Sequence, residues 1–328
     1  MKVCIVGAGA IGGFIGTRLA LEGSTQVSAV ARGATLAALR EHGWRLHSGG
    51  MLVRAPAEAT DRPAELGVQD LVVIAVKGPA LTAVAAGLAP LLGPHTVVLP
   101  AMNGVPWWFC QGRPGFGSAP LASVDPGGAI ARAIPLRQVV GCVVHASAST
   151  AEPGVVRHGV GLGLIVGEPA GGLSERAQRI AGLLGRAGFE ARASADVRHD
   201  IWFKLWGNLT MNPVAALTGA TIDRVLADPL VRGFCSAAMA EAAAIGERIG
   251  CAVAQTPEDR HALTARLGAV KPSMLQDVEA GRPVELDAIV AAVQEIGRHV
   301  GVATPCIDAL LGLARLHAQV RGLYPRGA

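Results

Sequence analysis

The spacing of apolar residues divides the chain into two parts of different character. In the first part, short apolar runs alternate with stretches in which apolar residues recur every three or four positions. The runs predict strands at 3–6, 26–31, 71–76, 96–100, 139–146, 155–157, 162–166 and 190–193. The stretches between them predict helices at 14–22, 79–92 and 173–187. Strands that alternate with helices build βαβ units, so this part predicts a mainly parallel, doubly wound α/β sheet.

The second part loses the strand signals after Asp196 and keeps only the helical spacing. It predicts helices at 197–218, 230–250, 257–267, 285–300 and 306–319. Helices with apolar faces and no strands bury those faces against one another, so we expect an all-helical bundle. The sequence thus predicts a sheet domain over residues 1–195 and a helical domain over residues 196–328.

A glycine-rich loop follows the first predicted strand. Gly7, Gly9 and Gly12 form the pattern G-x-G-x-x-G between a strand and a helix, which is the context in which this pattern binds dinucleotides. The first glycine permits a tight turn, the second lets a pyrophosphate approach the backbone, and the third lets helix and strand pack closely. We therefore predict a Rossmann-type domain whose cofactor binds at Gly7, Gly9, Ala10, Ile11 and Gly12, where the positive end of the helix faces the phosphates. A glycine turn that serves packing alone is the alternative.

The residue at the tip of the second predicted strand is Arg32. A carboxylate at this position would bind the ribose 2′-hydroxyl of NAD, whereas a guanidinium can bind the 2′-phosphate of NADP. Because Arg32 stands there, we predict NADP(H) as the cofactor. The alternative is an exposed arginine without a ligand.

Lysine and asparagine are rare in this chain, which has four lysines and three asparagines. Lys204, Asn208 and Asn212 are spaced by four residues, so on a helix one ammonium and two amides share a face over two turns. Apolar residues surround this polar stripe. Because a buried ammonium without partners is costly, the stripe predicts the wall of a ligand-binding cleft rather than a solvated face.

Two further polar positions follow predicted strands. Lys77 comes directly after the strand at 71–76, and Asn103-Gly104 follows the strand at 96–100. Ligands of open parallel sheets bind beyond the carboxyl ends of the strands, on the same edge as the glycine-rich loop. We predict Lys77 near the nicotinamide half of the cofactor and Asn103 beside the cofactor or the substrate, with ordinary loop residues as the alternative.

Ser273 and Glu285 are candidates for which the local sequence leaves two interpretations open. Ser273 could cap the helix that follows it, or its hydroxyl could bind a ligand. Glu285 could be a first-turn carboxylate that the helix dipole stabilises, or it could take part in a site.

The composition excludes several functional classes. Polar residues, glycine or proline interrupt every apolar stretch before the roughly 18 residues that span a membrane, and the first strand begins at residue 3, which predicts a cytoplasmic protein without a membrane anchor. The six cysteines include no C-x-x-C pair, so we expect reduced thiols and no metal site. A net charge of +4 without a basic run argues against a nucleic-acid partner.

In this order and spacing, the motifs resemble the ketopantoate reductase (2-dehydropantoate 2-reductase) family over essentially the whole chain. The resemblance rests on the early G-x-G-x-x-G, Arg32, Lys77, Asn103-Gly104, the K-x-x-x-N-x-x-x-N-P of 204–213, the S-M-L-Q-D of 273–277, and Glu285.

The resemblance implies a Rossmann domain followed by a helical domain, and NADPH-dependent reduction of 2-dehydropantoate to pantoate, a step of pantothenate biosynthesis. It implies that Lys204 is the general acid that orients the keto group and that Glu285 assists binding and catalysis. It also implies that Asn208, Asn212 and Ser273 bind the hydroxyl and the carboxylate of the substrate. Asn103 is then expected near the nicotinamide and the substrate. The binding partner is then a small-molecule 2-oxo acid, which is the substrate. The resemblance leaves open whether two copies of the chain form a homodimer.

One stretch departs from the family pattern. Trp107-Trp108-Phe109 precedes a segment rich in glycine and proline, where compact members run more directly into the next strand. These aromatic residues either pack the insertion onto its domain or cover the substrate, which would then be a bulkier or differently branched 2-oxo acid.

A third alternative for the function of the protein is a non-catalytic NADP(H)-binding redox sensor. Lys204 and Glu285 disfavour it, because a sensor needs no proton donor.

Overall fold

The structure is a computed structural model that describes residues 1–325. It contains two compact units, and each unit combines two stretches of chain. The first unit comprises Met1–Met102 with Ala129–Asp200, and the second comprises Asn103–Gly128 with the residues from Ile201 onward. The division predicted at residue 195 did not anticipate that the segment 103–128 packs with the second unit.

The first unit is built from strands and short helices. Its strands are β1 (Lys2–Val6), β2 (Gln26–Val30), β3 (Trp44–Ser48), β4 (Met51–Ala55), β5 (Glu58–Thr60), β6 (Leu71–Ile74), β7 (Val97–Pro100), β8 (Gly141–His145), β9 (Ala148–Glu152), β10 (Val155–His158), β11 (Gly163–Gly167) and β12 (Glu190–Ser194). Its helices are α1 (Ala10–Glu22), α2 (Gly33–His42), α3 (Gly78–Ala85), α4 (Ala129–Ala133) and α5 (Glu175–Arg186).

A five-stranded parallel sheet with the order β5-β2-β1-β6-β7 forms the centre of this unit. The chain runs from β1 to β2 and β5 on one side and then to β6 and β7 on the other, so the strand order reverses beside β1. In open parallel sheets this reversal leaves a crevice at the carboxyl ends of the strands, where ligands bind. The predicted parallel α/β fold class is therefore confirmed.

Two smaller sheets complete the first unit, with the orders β4-β3-β10-β9 and β12-β11-β8. Helix α1 packs against the first of these through glycine. A Cβ at Gly13 would lie 2.5 Å from Cγ2 of Val156, and one at Gly16 would lie 2.5 Å from the ring of Trp44. The absence of side chains on this face thus lets the sheet approach the backbone of α1.

The second unit is helical. Its helices are α6 (Val197–Thr218, whose first four residues belong to the first unit), α7 (Ile222–Ala227), α8 (Pro229–Arg248), α9 (Pro257–Ala265), α10 (Ser273–Glu279), α11 (Ala292–Val300) and α12 (Pro305–Val320). A π-helical turn, Asp287–Ala291, precedes α11. Apolar faces of α6, α7, α8, α10 and α12 form a shared core that includes Met211, Val225, Cys235, Leu275 and Leu310. Within residues 1–325, no helix combines the length and the apolar character needed to cross a membrane.

Candidate functional site

The glycine-rich loop connects β1 to α1. Gly7 has a φ of +93°, which favours glycine, and a Cβ there would lie 2.5 Å from Cγ1 of Val76. A Cβ at Gly12 would lie 2.0 Å from the carbonyl oxygen of Gly7, so a side chain at this position would push α1 away from the loop. At Gly9, by contrast, a Cβ would meet nothing within 4 Å in the described chain beyond its neighbours. Gly7 and Gly12 therefore shape the loop, and Gly9 leaves its backbone open.

The N-terminus of α1 has the properties of an anion-binding site. Its first turn carries no acidic residue, and Gly9, at the N-cap, has no side chain that could accept the backbone N–H groups. Gly9 is exposed, and Ala10 and Ile11 in the first turn are half-buried. Because the helix dipole is positive at this end and the N–H groups need acceptors, the loop fits the pyrophosphate of a dinucleotide.

Arg32 and Lys77 lie at the same edge of the sheet as this loop. Arg32 lies between β2 and α2, and Lys77 lies between β6 and α3, each at the N-cap of the helix that follows. Since β2 and β6 are the two neighbours of β1, the structure brings both residues to the strands that flank the loop. Arg32 is exposed and Lys77 is half-buried.

In the second unit, the ammonium of Lys204 donates a hydrogen bond to Oδ1 of Asn103 over 2.7 Å. Lys204 is half-buried on α6, so its charge is shielded from bulk solvent on part of its surface. A hydrogen bond to a charged donor is stronger than one between neutral groups, and it fixes the end of an otherwise flexible side chain. Asn103 thus holds the ammonium in place.

The loop that carries Asn103 is fixed to the π-helical turn. The backbone N–H of Val105 donates to the carbonyl oxygen of Ala288 over 2.7 Å. Gly104 has a φ of +80°, and a Cβ there would lie 2.5 Å from the same carbonyl oxygen. Only glycine lets the loop come this close, which explains the pairing of Asn103 with Gly104. π-Helical turns are frequent at functional sites, and this one supports the loop that carries Asn103 through Gly104 and Val105.

Asn208 and Asn212 continue the polar face of α6. Asn208 is half-buried and Asn212 is 5% exposed. Within residues 1–325, neither amide forms a side-chain hydrogen bond with another group of the protein, nor is either among the polar atoms fully enclosed without a partner. Amides held in an apolar helix with unused hydrogen-bonding capacity can accept a polar ligand at little reorganisation cost.

Ser273 and Glu285 lie at the starts of two helical segments. Pro272 is the N-cap of α10, and Ser273 is the first helical residue and exposed, so the capping interpretation of Ser273 is wrong. Its hydroxyl forms no hydrogen bond within the described residues. Glu285 is half-buried and precedes the π-helical turn, so it does not lie in the first turn itself. It lies three residues from Ala288, the contact point of the Asn103 loop.

The π-helical turn also contains a half-buried carboxyl group, that of Asp287, which sequence analysis missed. The hydroxyl of Tyr324 donates to Oδ1 of Asp287. Burial raises the pKa of Asp287, while the hydrogen bond from Tyr324 opposes that shift. The single tyrosine of the chain thus connects the C-terminal segment to the turn beside Glu285.

The aromatic run Trp107-Trp108-Phe109 is buried within the second unit. The exposed fractions of the three residues are 1%, 0% and 0%, and the ring of Phe109 stacks on that of Trp202 at a centroid distance of 6.0 Å. These aromatic residues therefore pack the insertion onto the helices and present no open apolar surface.

Polar contacts hold the rest of this insertion. The carboxylate of Glu295 accepts the backbone N–H groups of Ala122 and Ser123, each over 2.8 Å. The guanidinium of Arg113 donates to the carbonyl oxygen of Ile249 after α8. These contacts are separated by more than a hundred residues along the chain, which explains why a local pattern could not assign the insertion to the second unit.

Within the part of the chain that the structure describes, no group of three or more His, Cys, Asp or Glu side chains is placed to hold a metal ion. None of the six cysteines forms a disulfide there, and all but the partly exposed Cys306 are buried.

Comparisons with known proteins agree with this arrangement. Residues 3–108 match the family model "Ketopantoate reductase PanE/ApbA", and residues 196–318 match the model of the C-terminal part of the same family. The chain is 46% identical to a 2-dehydropantoate 2-reductase of Mesorhizobium japonicum over 99% of this chain and 100% of that protein.

Solved structures show the same likeness. A candidate ketopantoate reductase from Ralstonia solanacearum MolK2 is 59% identical, with a TM-score of 0.95 over 98% of this chain and 99% of the other. The 2-dehydropantoate 2-reductase of Geobacter metallireducens GS-15 is 27% identical, with a TM-score of 0.84 over 97% of this chain and 100% of the other. The chain therefore belongs to the ketopantoate reductase family.

Proposed function

We propose that this chain reduces 2-dehydropantoate to pantoate with NADPH. The observation that carries the proposal is the placement of the Lys204 ammonium, 2.7 Å from Oδ1 of Asn103, on the helix face that also carries Asn208 and Asn212. This face combines one proton donor with two amides, as a 2-oxo acid with a hydroxyl group requires.

The roles of these groups follow from the reaction. When bound, the dinucleotide supplies a hydride to the keto carbon of the substrate. Negative charge then develops on the keto oxygen, and the Lys204 ammonium stabilises that charge and donates a proton to it. Asn103 keeps the ammonium aimed by accepting one of its three N–H groups, which leaves two for the substrate and other contacts.

Three uncharged polar side chains and one carboxyl group are assigned to substrate binding. Asn208, Asn212 and Ser273 offer amide and hydroxyl groups for the substrate's hydroxyl and carboxylate, and Glu285 assists binding and catalysis. A site that hydrogen-bonds a hydroxyl rejects analogues without it, because its own groups are then left unpaired.

The cofactor assignment has support from the first unit. Gly9 has open space where a side chain would project, the first turn of α1 lacks acidic residues, and Arg32 presents an exposed guanidinium after β2. The loop would hold the pyrophosphate, and Arg32 would bind the 2′-phosphate that distinguishes NADP from NAD. Lys77 would bind on the nicotinamide side.

The test is NADPH oxidation with a panel of 2-oxo acids that includes 2-dehydropantoate, pyruvate, 2-oxoisovalerate and phenylglyoxylate. We expect 2-dehydropantoate to give the highest kcat/KM, because the buried aromatic run offers no surface for a bulkier side chain. Preference for phenylglyoxylate would contradict the proposed substrate, and failure to oxidise NADPH with any of the four would contradict the proposed activity.

Lys204→Ala tests the mechanism in the same assay. Because it removes the proton donor, kcat should fall by at least about 100-fold, while NADPH binding, followed by cofactor fluorescence, should stay near the wild-type value. Lys2→Ala, at the exposed opposite end of β1, is the matched control and should leave turnover unchanged. Near-normal turnover of Lys204→Ala would remove this residue from the mechanism.

A further inference from the structure

Arg260 on α9 lies against the helix that carries Lys204. Its guanidinium carbon is 5.3 Å from the centroid of the Phe203 ring, within the range of a cation–π interaction. A Cβ at Gly207 would lie 2.5 Å from Nε and 2.6 Å from Nη2 of Arg260. The guanidinium therefore rests on the bare backbone of α6.

Gly207 is a costly residue in this position. Glycine in the interior of a helix destabilises that helix relative to alanine. Here it provides the space that the guanidinium occupies, since any side chain would displace it. Gly207 thus makes room for a cation at the surface of α6.

Arg260 has no counter-charge in the described part of the chain. The structure gives its guanidinium no ion pair and no hydrogen bond there, and its Nε is fully enclosed. The acidic residues that precede it are engaged elsewhere, because Glu258 pairs with Arg232 and Asp259 forms the capping box with Thr256. Burial lowers the pKa of Arg260 through loss of hydration. A shielded cation without a counter-charge is costly, and an anionic ligand would offset that cost.

The position of this cation relates it to the polar face of α6. Phe203 and Gly207 immediately precede Lys204 and Asn208, and adjacent residues on a helix point about 100° apart. The guanidinium therefore covers the face of α6 next to the polar one. In a 2-oxo acid the carboxylate is bonded directly to the keto carbon, so a substrate with its keto oxygen at Lys204 carries its negative charge beside that oxygen.

We propose that Arg260 binds the carboxylate of the 2-oxo acid and makes the enzyme select acids over neutral carbonyl compounds. This inference rests on the proposed function. Asn208, Asn212 and Ser273 orient the substrate through uncharged groups, and Arg260 adds the positive charge and the paired donors that match a carboxylate. The guanidinium takes no part in hydride or proton transfer.

The experiment compares 2-dehydropantoate with its neutral lactone as substrates, with NADPH as the reductant. Arg260→Gln should lower kcat/KM for the acid by roughly 10- to 100-fold, mainly through KM, because a hydrogen bond to a charged group is lost. For the lactone, kcat/KM should not change. Arg260→Lys should recover part of the preference for the acid, since it keeps the charge but not the paired donors.

Two further variants separate a binding role from a structural one. Gly207→Ala displaces the guanidinium without removing it, so the acid-to-lactone ratio should fall as in Arg260→Gln. Arg266→Gln removes an exposed arginine just beyond α9 and should keep the wild-type ratio. If thermal unfolding shows that Arg260→Gln does not fold, the ratios of Arg260→Lys and Gly207→Ala decide.

The outcomes distinguish this inference from the proposed function. A wild-type protein that reduces neither compound contradicts the proposed function. A wild-type protein that reduces the acid, with an acid-to-lactone ratio that stays the same in Arg260→Gln and Gly207→Ala, overturns the role of Arg260 alone. An equal loss for both substrates in Arg260→Gln also overturns it, because it shows that the guanidinium only supports α6.

Discussion

Gly9 and Gly12 belong to one motif, but alanine at the two positions should affect different properties, namely cofactor binding at Gly9 and stability at Gly12. A Cβ at Gly12 would lie 2.0 Å from the backbone oxygen of Gly7, whereas a Cβ at Gly9 would enter open space. Gly12→Ala should therefore damage the folded protein itself. Gly9→Ala should leave the fold intact and harm only the binding of a cofactor that approaches this backbone.

The size of the Gly12 effect follows from the distance. A Cβ and a carbonyl oxygen rarely come closer than 3.0 Å, so α1 must move by about 1 Å relative to a rigid loop. Forcing a carbon into such a position typically costs about 1–3 kcal/mol. For a unit of this size each kcal/mol lowers Tm by about 2–4 °C, so we expect a loss of several degrees.

The Gly9 effect is expected only in the presence of cofactor. Gly9 has a φ of −78° and a ψ of −153°, which alanine also adopts. Alanine restricts the unfolded chain but is a poorer N-cap than glycine, and these opposing terms keep the stability change within about 1 kcal/mol. The added methyl group would occupy the surface where the pyrophosphate approaches, and NADPH affinity should fall at least about tenfold, or 1.4 kcal/mol.

Thermal unfolding without cofactor and NADPH titration by fluorescence measure the two effects separately. Gly182→Ala on α5 is the control, because its Cβ would also meet nothing within 4 Å and it lies in a helix of the same unit. It should bind NADPH like the wild-type protein. If Gly9→Ala binds NADPH normally, the assignment of this loop to the pyrophosphate is wrong. If it loses as much stability as Gly12→Ala, the open space at Gly9 is contradicted.

Three further predictions address other parts of the molecule. Arg32→Asp should weaken NADPH binding much more than NADH binding, because a carboxylate repels the 2′-phosphate; equal affinities of the wild-type protein for both cofactors would refute this. Trp108→Ala should lower the unfolding free energy by about 3–5 kcal/mol, since the side chain is fully buried, and leave the ranking of 2-oxo acids unchanged; a changed ranking in a folded variant would show contact with substrate. Burial raises the folded-state pKa of Asp287 above its unfolded value, so its stabilising contribution is present at low pH and is lost as pH rises through the folded pKa. In urea unfolding, the free energy of unfolding of Asp287→Asn should therefore fall less than that of the wild-type protein between about pH 4 and pH 7. An equal fall in both proteins would show that the Asp287 carboxyl group does not cause this pH dependence.

Local patterns predicted the elements whose formation depends on their own residues. The apolar runs gave β1, β2 and β6 to within two residues, and the helical spacing predicted α6 at 197–218, where the structure has Val197–Thr218. Each of these segments buries a continuous apolar surface, so periodicity alone identifies it. The strand and the helix predicted on either side of the glycine-rich pattern likewise distinguished it from a chance run of glycines.

Several elements were missed although a signal existed. The hairpin of β3 and β4 has Gly49-Gly50 at its turn, after a strand, β3, in which apolar and polar residues alternate, which is a hairpin pattern.

Other helices have different ends from those predicted. The helix predicted at 79–92 is shorter in the structure, because α3 ends at Ala85 and a 3₁₀ turn, Ala89–Leu91, follows. The helix at 285–300 begins instead with the π-helical turn. Ends and irregular turns depend on what packs against them, which spacing does not record.

The sequence by itself therefore determined the fold class, the family and the residue types of the candidate site. Only the tertiary structure decided which groups meet. Asn103 and Lys204 are 101 residues apart, and Arg260 reaches Gly207 across 53 positions, yet the first pair forms a hydrogen bond and the second a close contact. A local pattern shows which face of a helix is apolar and which is polar. The partner of a polar group depends on how distant segments pack, because only that packing brings a charged group and its acceptor within hydrogen-bonding distance.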